Sequence, residues 1–150
     1  MMTTAGWPGH SLRLVRILPA PPDEVFAAWT DAESLKQWMC PGATSVPVAE
    51  LDVRVGGYFR IVMRGEQRDY VHTGEYLEIN PPNRLAFTWV SAATHEKPSM
   101  VTVEFRPHGD EETEIVLIHE QLPDEESASK HQGGWGDIAT KLAAHLSKKG

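Results

Sequence analysis

Cysteine is all but missing: Cys40 stands alone in 150 residues. A single thiol excludes an intramolecular disulfide and suits a reducing compartment. Positive charge is short as well. Fourteen Lys and Arg against twenty-one Asp and Glu leave a net charge of −7. That argues against nucleic acid or an anionic membrane as the main partner, since both recruit concentrated Lys and Arg. No apolar run approaches the roughly 20 residues of a membrane span, and the stretch Met1 to His10 lacks a secretory apolar core. A soluble, cytoplasmic protein is expected. The seven histidines are scattered, with none at zinc-protease spacing or near a second ligand, so neither metal nor cofactor is expected.

What is present is ordinary globular material. A hydrophobic content of 41% in 150 residues gives one domain with a real core. Residues 11–150 read as that domain and residues 1–10 as a loose tail.

The strongest pattern lies at the end, where Asp124 to Lys148 reads as one long helix. Asp124 is a suitable N-cap, and Glu125 and Glu126 put negative charge in the first turn. Trp135, Ile138, Ala139, Leu142 and Leu146 recur at three- and four-residue steps and form one apolar stripe. Gly133, Gly134 and Gly136 run against this design, each costing about 1 kcal/mol relative to Ala in a helix interior. Either the helix starts late, near Trp135, or its backbone is thinned so that another surface or a ligand can approach.

Upstream, Ser11 to Leu18 reads as a strand ended by Pro19–Pro22. A helix follows with Val25, Phe26 and Trp29 on its buried side. Asp31 then caps a second short helix containing Leu35 and Trp38. Six strands come next: Val46–Val55, Tyr58–Arg64, Tyr70–Ile79, Leu85–Val90, Met100–Arg106 and Thr113–Gln121. Gly56-Gly57 is read as a two-residue hairpin link. Tyr76 differs in parity from Leu77 and Ile79, so a bulge must decide its face. Short turns make neighbouring strands antiparallel. The expected class is α+β, a curved antiparallel sheet of six to seven strands around the terminal helix. A sheet wider than its helix should leave a concave pocket.

The run from Ala20 to Asp31 followed by Leu35-Lys36-Gln37-Trp38 resembles the opening of the START-like (SRPBCC, Bet v-type) superfamily. Within it, the chain is most similar to the family named after the activator of the ninety-kilodalton heat-shock-protein ATPase. Asp52 to Gly57, Gly74 to Trp89, His119-Glu120 and His131 to Trp135 agree, in order. The resemblance implies a helix-grip fold around a hydrophobic cavity. It implies no particular reaction, although relatives bind lipids, sterols or polyketides and a few are cyclases. Trp38-Met39-Cys40-Pro41 departs from the usual Trp-Trp-Gly-Pro and makes the entrance less aromatic.

The expected ligand-lining set is Trp29, Trp38, Met39, Phe59, Ile61, Met63, Phe87, Trp89, Val103, Phe105, Leu117, His119, His131, Trp135, Ile138 and Leu142. His119 shares a face with Ile115 and Leu117. It is either a polar anchor or general base, or a core histidine bonded to a carbonyl or an acid. No catalytic residue is otherwise expected: Cys40 lacks an activating neighbour, and Gly56-Gly57 lacks the lysine and helix of a phosphate loop. The leading expectation is a module for a small hydrophobic or aromatic molecule. The alternatives are a co-chaperone-type domain that activates a heat-shock ATPase, and a cyclase or hydrolase using His119. Val116 and Ile118 form an outward apolar strip that leaves room for a homodimer.

Overall fold

The computed structural model describes residues 10–149. The tail expected over residues 1–10 lies outside the described residues except for His10, which opens the first strand. The order is β1 (His10–Leu18), α1 (Pro22–Thr30), α2 (Ala32–Leu35), β2 (Ser45–Leu51), β3 (Tyr58–Arg64), β4 (Asp69–Asn80) and β5 (Arg84–Trp89). A 3₁₀ turn (Ala92–Thr94), β6 (Ser99–His108), β7 (Glu112–Leu122) and α3 (Glu125–Lys149) complete it. One seven-stranded sheet runs β1-β7-β6-β5-β4-β3-β2, antiparallel throughout. The expected α+β helix-grip architecture is present, with α3 packed chiefly along β1.

Local chemistry accounts for the element ends. The Asp124 carboxylate accepts from the Ser127 amide at 2.7 Å, satisfying one of the unpaired donors at the start of α3. Asp31 does the same for α2 through the Ser34 amide at 3.1 Å. Because α3 begins at Glu125, Gly133, Gly134 and Gly136 all lie within the helix, and the late start near Trp135 does not occur. A Cβ on Gly133 would meet nothing within 4 Å, and one on Gly134 would come no nearer than 3.8 Å to Pro41 Cβ.

Two local readings need correction. β2 stops at Leu51, and Asp52–Gly57 turns back to Tyr58, so Gly56-Gly57 is no two-residue hairpin. Gly56 has φ +87°. Gly57 is required for a different reason: its Cβ would collide with the carbonyl oxygen of Asp52. The second short helix ends at Leu35 and does not contain Trp38, which follows in a turn closed by Trp38 N–H to the Leu35 carbonyl at 3.2 Å.

The irregularity around Tyr76 is real. The β4–β5 register shifts between Tyr76 and Glu78, and Tyr76 turns inward to pack on Phe59 at 5.5 Å. Leu77 is left exposed. On the outer face Val116 is only 2% exposed while Ile118 is half-buried, so the apolar strip expected there is covered at Val116 and only partly at Ile118. Arg84 bonds Glu78 and Glu104 at 2.9 Å each, and Arg106 also bonds Glu104. This makes a charged lattice across β4, β5 and β6 beside Val116, which pairs with Glu104.

Gly74 tests the packing. A Cβ there would fall 2.0 Å from the Thr88 carbonyl oxygen and 2.4 Å from the Phe59 ring. Gly74→Ala is expected to destabilise by ~2–3 kcal/mol or more, from overpacking, whereas Gly133→Ala should stabilise by ~0.5–1 kcal/mol. Urea unfolding midpoints of the two variants check both signs.

Candidate functional site

The inner face of the sheet and the apolar stripe of α3 close on an aromatic cluster. Trp135 packs over Trp89 at 5.1 Å and Trp29 at 6.2 Å. Trp29 meets Trp38 edge-on at 4.9 Å, and Phe59 meets Phe87 at 5.5 Å. Such offset and edge-to-face pairs add to the stabilisation from area burial alone.

The deep part of this cluster is solid. The space bounded by Trp29, Met39, Phe59, Ile61 and Phe87 is about 10 Å³, at the limit for a single water. Trp38, Val103, Phe105, Leu117 and Leu142 are buried in the same core. Room exists nearer the end of the sheet. A cavity of about 140 Å³ is lined by Pro41, Met63, His72, Trp89, Ala93, Lys130, His131, Gly134, Trp135 and Ile138. It shares Pro41, Met63, His72 and Ala93 with a wider cleft of about 570 Å³ running along residues 68–73 and 90–93. Of the sequence-derived set, the structure therefore brings Met63, Trp89, His131, Trp135 and Ile138 to the open cavity.

His119 is fully buried and has both ring nitrogens engaged. The Trp135 indole N–H donates to His119 Nδ1 at 3.0 Å, so the ring is neutral with its proton on Nε2. That proton is donated to Ser99 Oγ at 2.7 Å, and the Ser99 hydroxyl in turn donates to the Trp89 carbonyl at 2.7 Å. Burial, and secondly the nearby His131, hold the His119 pKa well below the ordinary imidazole value. No lone pair is left to take a substrate proton. The bond to Trp135 instead joins α3 to β7 inside the core.

His131 behaves differently. Its Nδ1–H donates to the Ser127 carbonyl at 2.7 Å, one turn back along α3, which leaves Nε2 as an acceptor. Its ring stands edge-on to His119 at 4.8 Å. Burial lowers its pKa, partly opposed by the Ser127 carbonyl, with Lys130 adding a smaller repulsion.

His72 is the residue that sequence reasoning passed over. Its ring lies 4.9 Å from that of Trp89, and it borders both cavities. Burial brings its pKa down to about 4, with a further push from His131, against weaker opposing pulls from the backbone of Tyr70 and Ile61. Its Nδ1 is sealed from solvent with no hydrogen-bond partner. A signal was available: the β3–β4 turn sets His72 opposite Ile61, and Ile61 reads as inward. Among the described residues no group of three or more His, Cys, Asp or Glu is arranged to hold a metal ion, and no helix is long and apolar enough to cross a membrane.

Comparison with known proteins agrees with the fold. The family model described as Activator of Hsp90 ATPase homolog 1-like protein matches residues 19–147. The AHSA1 protein of Silicibacter pomeroyi is 30% identical, with a TM-score of 0.80 over 94% of this chain and 100% of that one. A Chromobacterium violaceum protein is 27% identical, with a TM-score of 0.80 over 89% of this chain and 94% of that one. A Plasmodium falciparum protein described as an HSP90 activator is 25% identical, with a TM-score of 0.73 over 91% of this chain and 96% of that one. No curated protein matches the chain.

The neutral, half-buried state of His72 has a pH consequence. Its folded pKa of about 4 lies below the 6.5 of a free imidazole. Between these values the unfolded chain binds the extra proton, so stability is complete above the unfolded pKa and falls as pH drops toward 4. A shift of this size is worth up to ~3 kcal/mol, and His119 and His131 act with the same sign. Urea unfolding measured from pH 7.5 to 5 is expected to show this decline, and His72→Gln should make it shallower, with the part due to His119 and His131 remaining. A flat wild-type profile would contradict the assignment.

Proposed function

The chain belongs to the Activator of Hsp90 ATPase homolog 1-like family, and we propose that it binds a small, flat apolar molecule between α3 and the sheet. The observation that carries this is the cavity of about 140 Å³ beside Trp135, open to the wider cleft. Its floor of Trp89, Met63 and Ile138 would gain affinity by apolar burial, and the imidazoles of His72 and His131 would orient the ligand. Gly134 supports the reading. It lies on the cavity wall, and a side chain there would project into the space a ligand needs.

Gly134→Leu is therefore expected to abolish binding of a bicyclic aromatic such as indole while leaving the fold intact. Shifts of the Trp135 indole N–H resonance on titration measure it. Native mass spectrometry of protein purified from its own cells adds the natural case. Apo mass alone, with no indole-induced shift in the wild type, would reject the proposal.

A second reading is stimulation of a heat-shock ATPase. It is favoured by the family description and by the Plasmodium relative described as an HSP90 activator. A pull-down and an ATPase assay with the cognate heat-shock protein test it, and no binding with an unchanged rate would remove it. Self-association through the outer sheet face is the weaker partner reading, because the lattice of Arg84, Glu78 and Glu104 would have to be desolvated.

A further inference from the structure

The polar character of the cavity narrows the ligand class. Two imidazoles border it, His72 from β4 and His131 from α3. The proton on His131 is fixed at Nδ1 by the Ser127 carbonyl at 2.7 Å, so Nε2 offers a lone pair. In His72 the nitrogen nearer the backbone, Nδ1, is sealed from solvent without a hydrogen-bond partner, so no contact fixes its tautomer and only Nε2 is left for an occupant of the cavity. The indole donors nearby are out of use: Trp135 Nε1 is spent on His119, and Trp89 Nε1 is sealed. Lys130, at the rim, is turned toward Glu126 at 3.6 Å. What an entering molecule meets is apolar surface with the imidazole of His72 on the sheet side and that of His131, its Nε2 an acceptor, on the helix side.

We infer that the cavity selects flat apolar molecules that carry an O–H or N–H donor, held by Nε2 of His131, over isosteres that lack one. This rests on the binding role proposed above and names the polar group that the ligand must present. A ligand without a donor would leave the His131 lone pair unpaired once water is expelled, a loss that a matched apolar site would not impose.

The test compares indole with its isostere indene, which has a carbon in place of the N–H. Titrations are followed by Trp135 indole N–H shifts in the wild type and in His72→Phe and His131→Phe. Indole is expected to bind at least about 5-fold tighter than indene, and the ratio should fall toward one in His131→Phe and hold in His72→Phe. Long-range proton–nitrogen spectra of the wild type give a readout that does not depend on variants folding. The unprotonated Nε2 resonance of His131 should move with indole and stay in place with indene. Equal binding of the two probes, with that resonance unmoved, overturns the donor selection and leaves the binding role intact. Binding of neither probe removes both.

Discussion

A single buried hydrogen bond, Trp135 Nε1–H to His119 Nδ1 at 3.0 Å, fixes how helix and sheet meet. Net, such a bond contributes roughly 1 kcal/mol, but leaving its buried partners unpaired would cost ~1–3 kcal/mol. Its larger effect is directional. It forces one tautomer on His119, which sends the other proton to Ser99 and the serine proton to the Trp89 carbonyl. One chain of donors thus runs from α3 through β7 and β6 to β5, and it leaves the Trp135 ring lying against Trp89 and Trp29. The indoles of Trp29, Trp38 and Trp89 have no such partner, so among the described tryptophans only Trp135 is held by direction as well as by contact.

Much of this was legible in the sequence because it follows from period. Alternation in Leu85-Ala86-Phe87-Thr88-Trp89 and the three- and four-residue steps from Trp135 to Leu146 gave the inward faces of β5 and α3, which are buried. What period cannot convey is distance between segments. The need for Gly57 comes from the Asp52 carbonyl, five residues away, and the fate of Tyr76 from a register shift against β5. The same limit hid how far the cavity closes. Whether Phe59, Phe87 and Trp29 leave a hollow or fill it depends on ring orientations, and they fill it. His72 escaped because Asp69-Tyr70-Val71-His72-Thr73 carries its aliphatic residue, Val71, on the outer face, so the segment does not advertise an inward wall.

The two faces of the sheet solve opposite problems. Inside, polar atoms are few: those of Trp135, His119 and Ser99 bond one another, the indole nitrogens of Trp29, Trp38 and Trp89 are sealed and unpartnered, and the imidazoles of His72 and His131 border open space. Outside, Glu78, Arg84, Glu104 and Arg106 bond side by side. Exposed pairs of this kind add little stability, but they shield apolar Val116 and Ala86 without burying lone charge. A strongly acidic chain can thereby carry a broad sheet with little apolar surface on its outer centre.

The loop bearing Pro41 is fastened to the same helix that bears Trp135. Lys141 Nζ donates to the Cys40 carbonyl at 2.5 Å and to the Gly42 carbonyl at 2.6 Å, and Asp137 accepts from the Gly42 amide at 3.1 Å. Pro41 and Trp135 are therefore two jaws of one rigid piece, set against Met63, His72 and Trp89 on the sheet. With Trp135 itself bonded to His119, the sheet, α3 and the Pro41 loop are tied in series, and the mouth has no independent flap on this side.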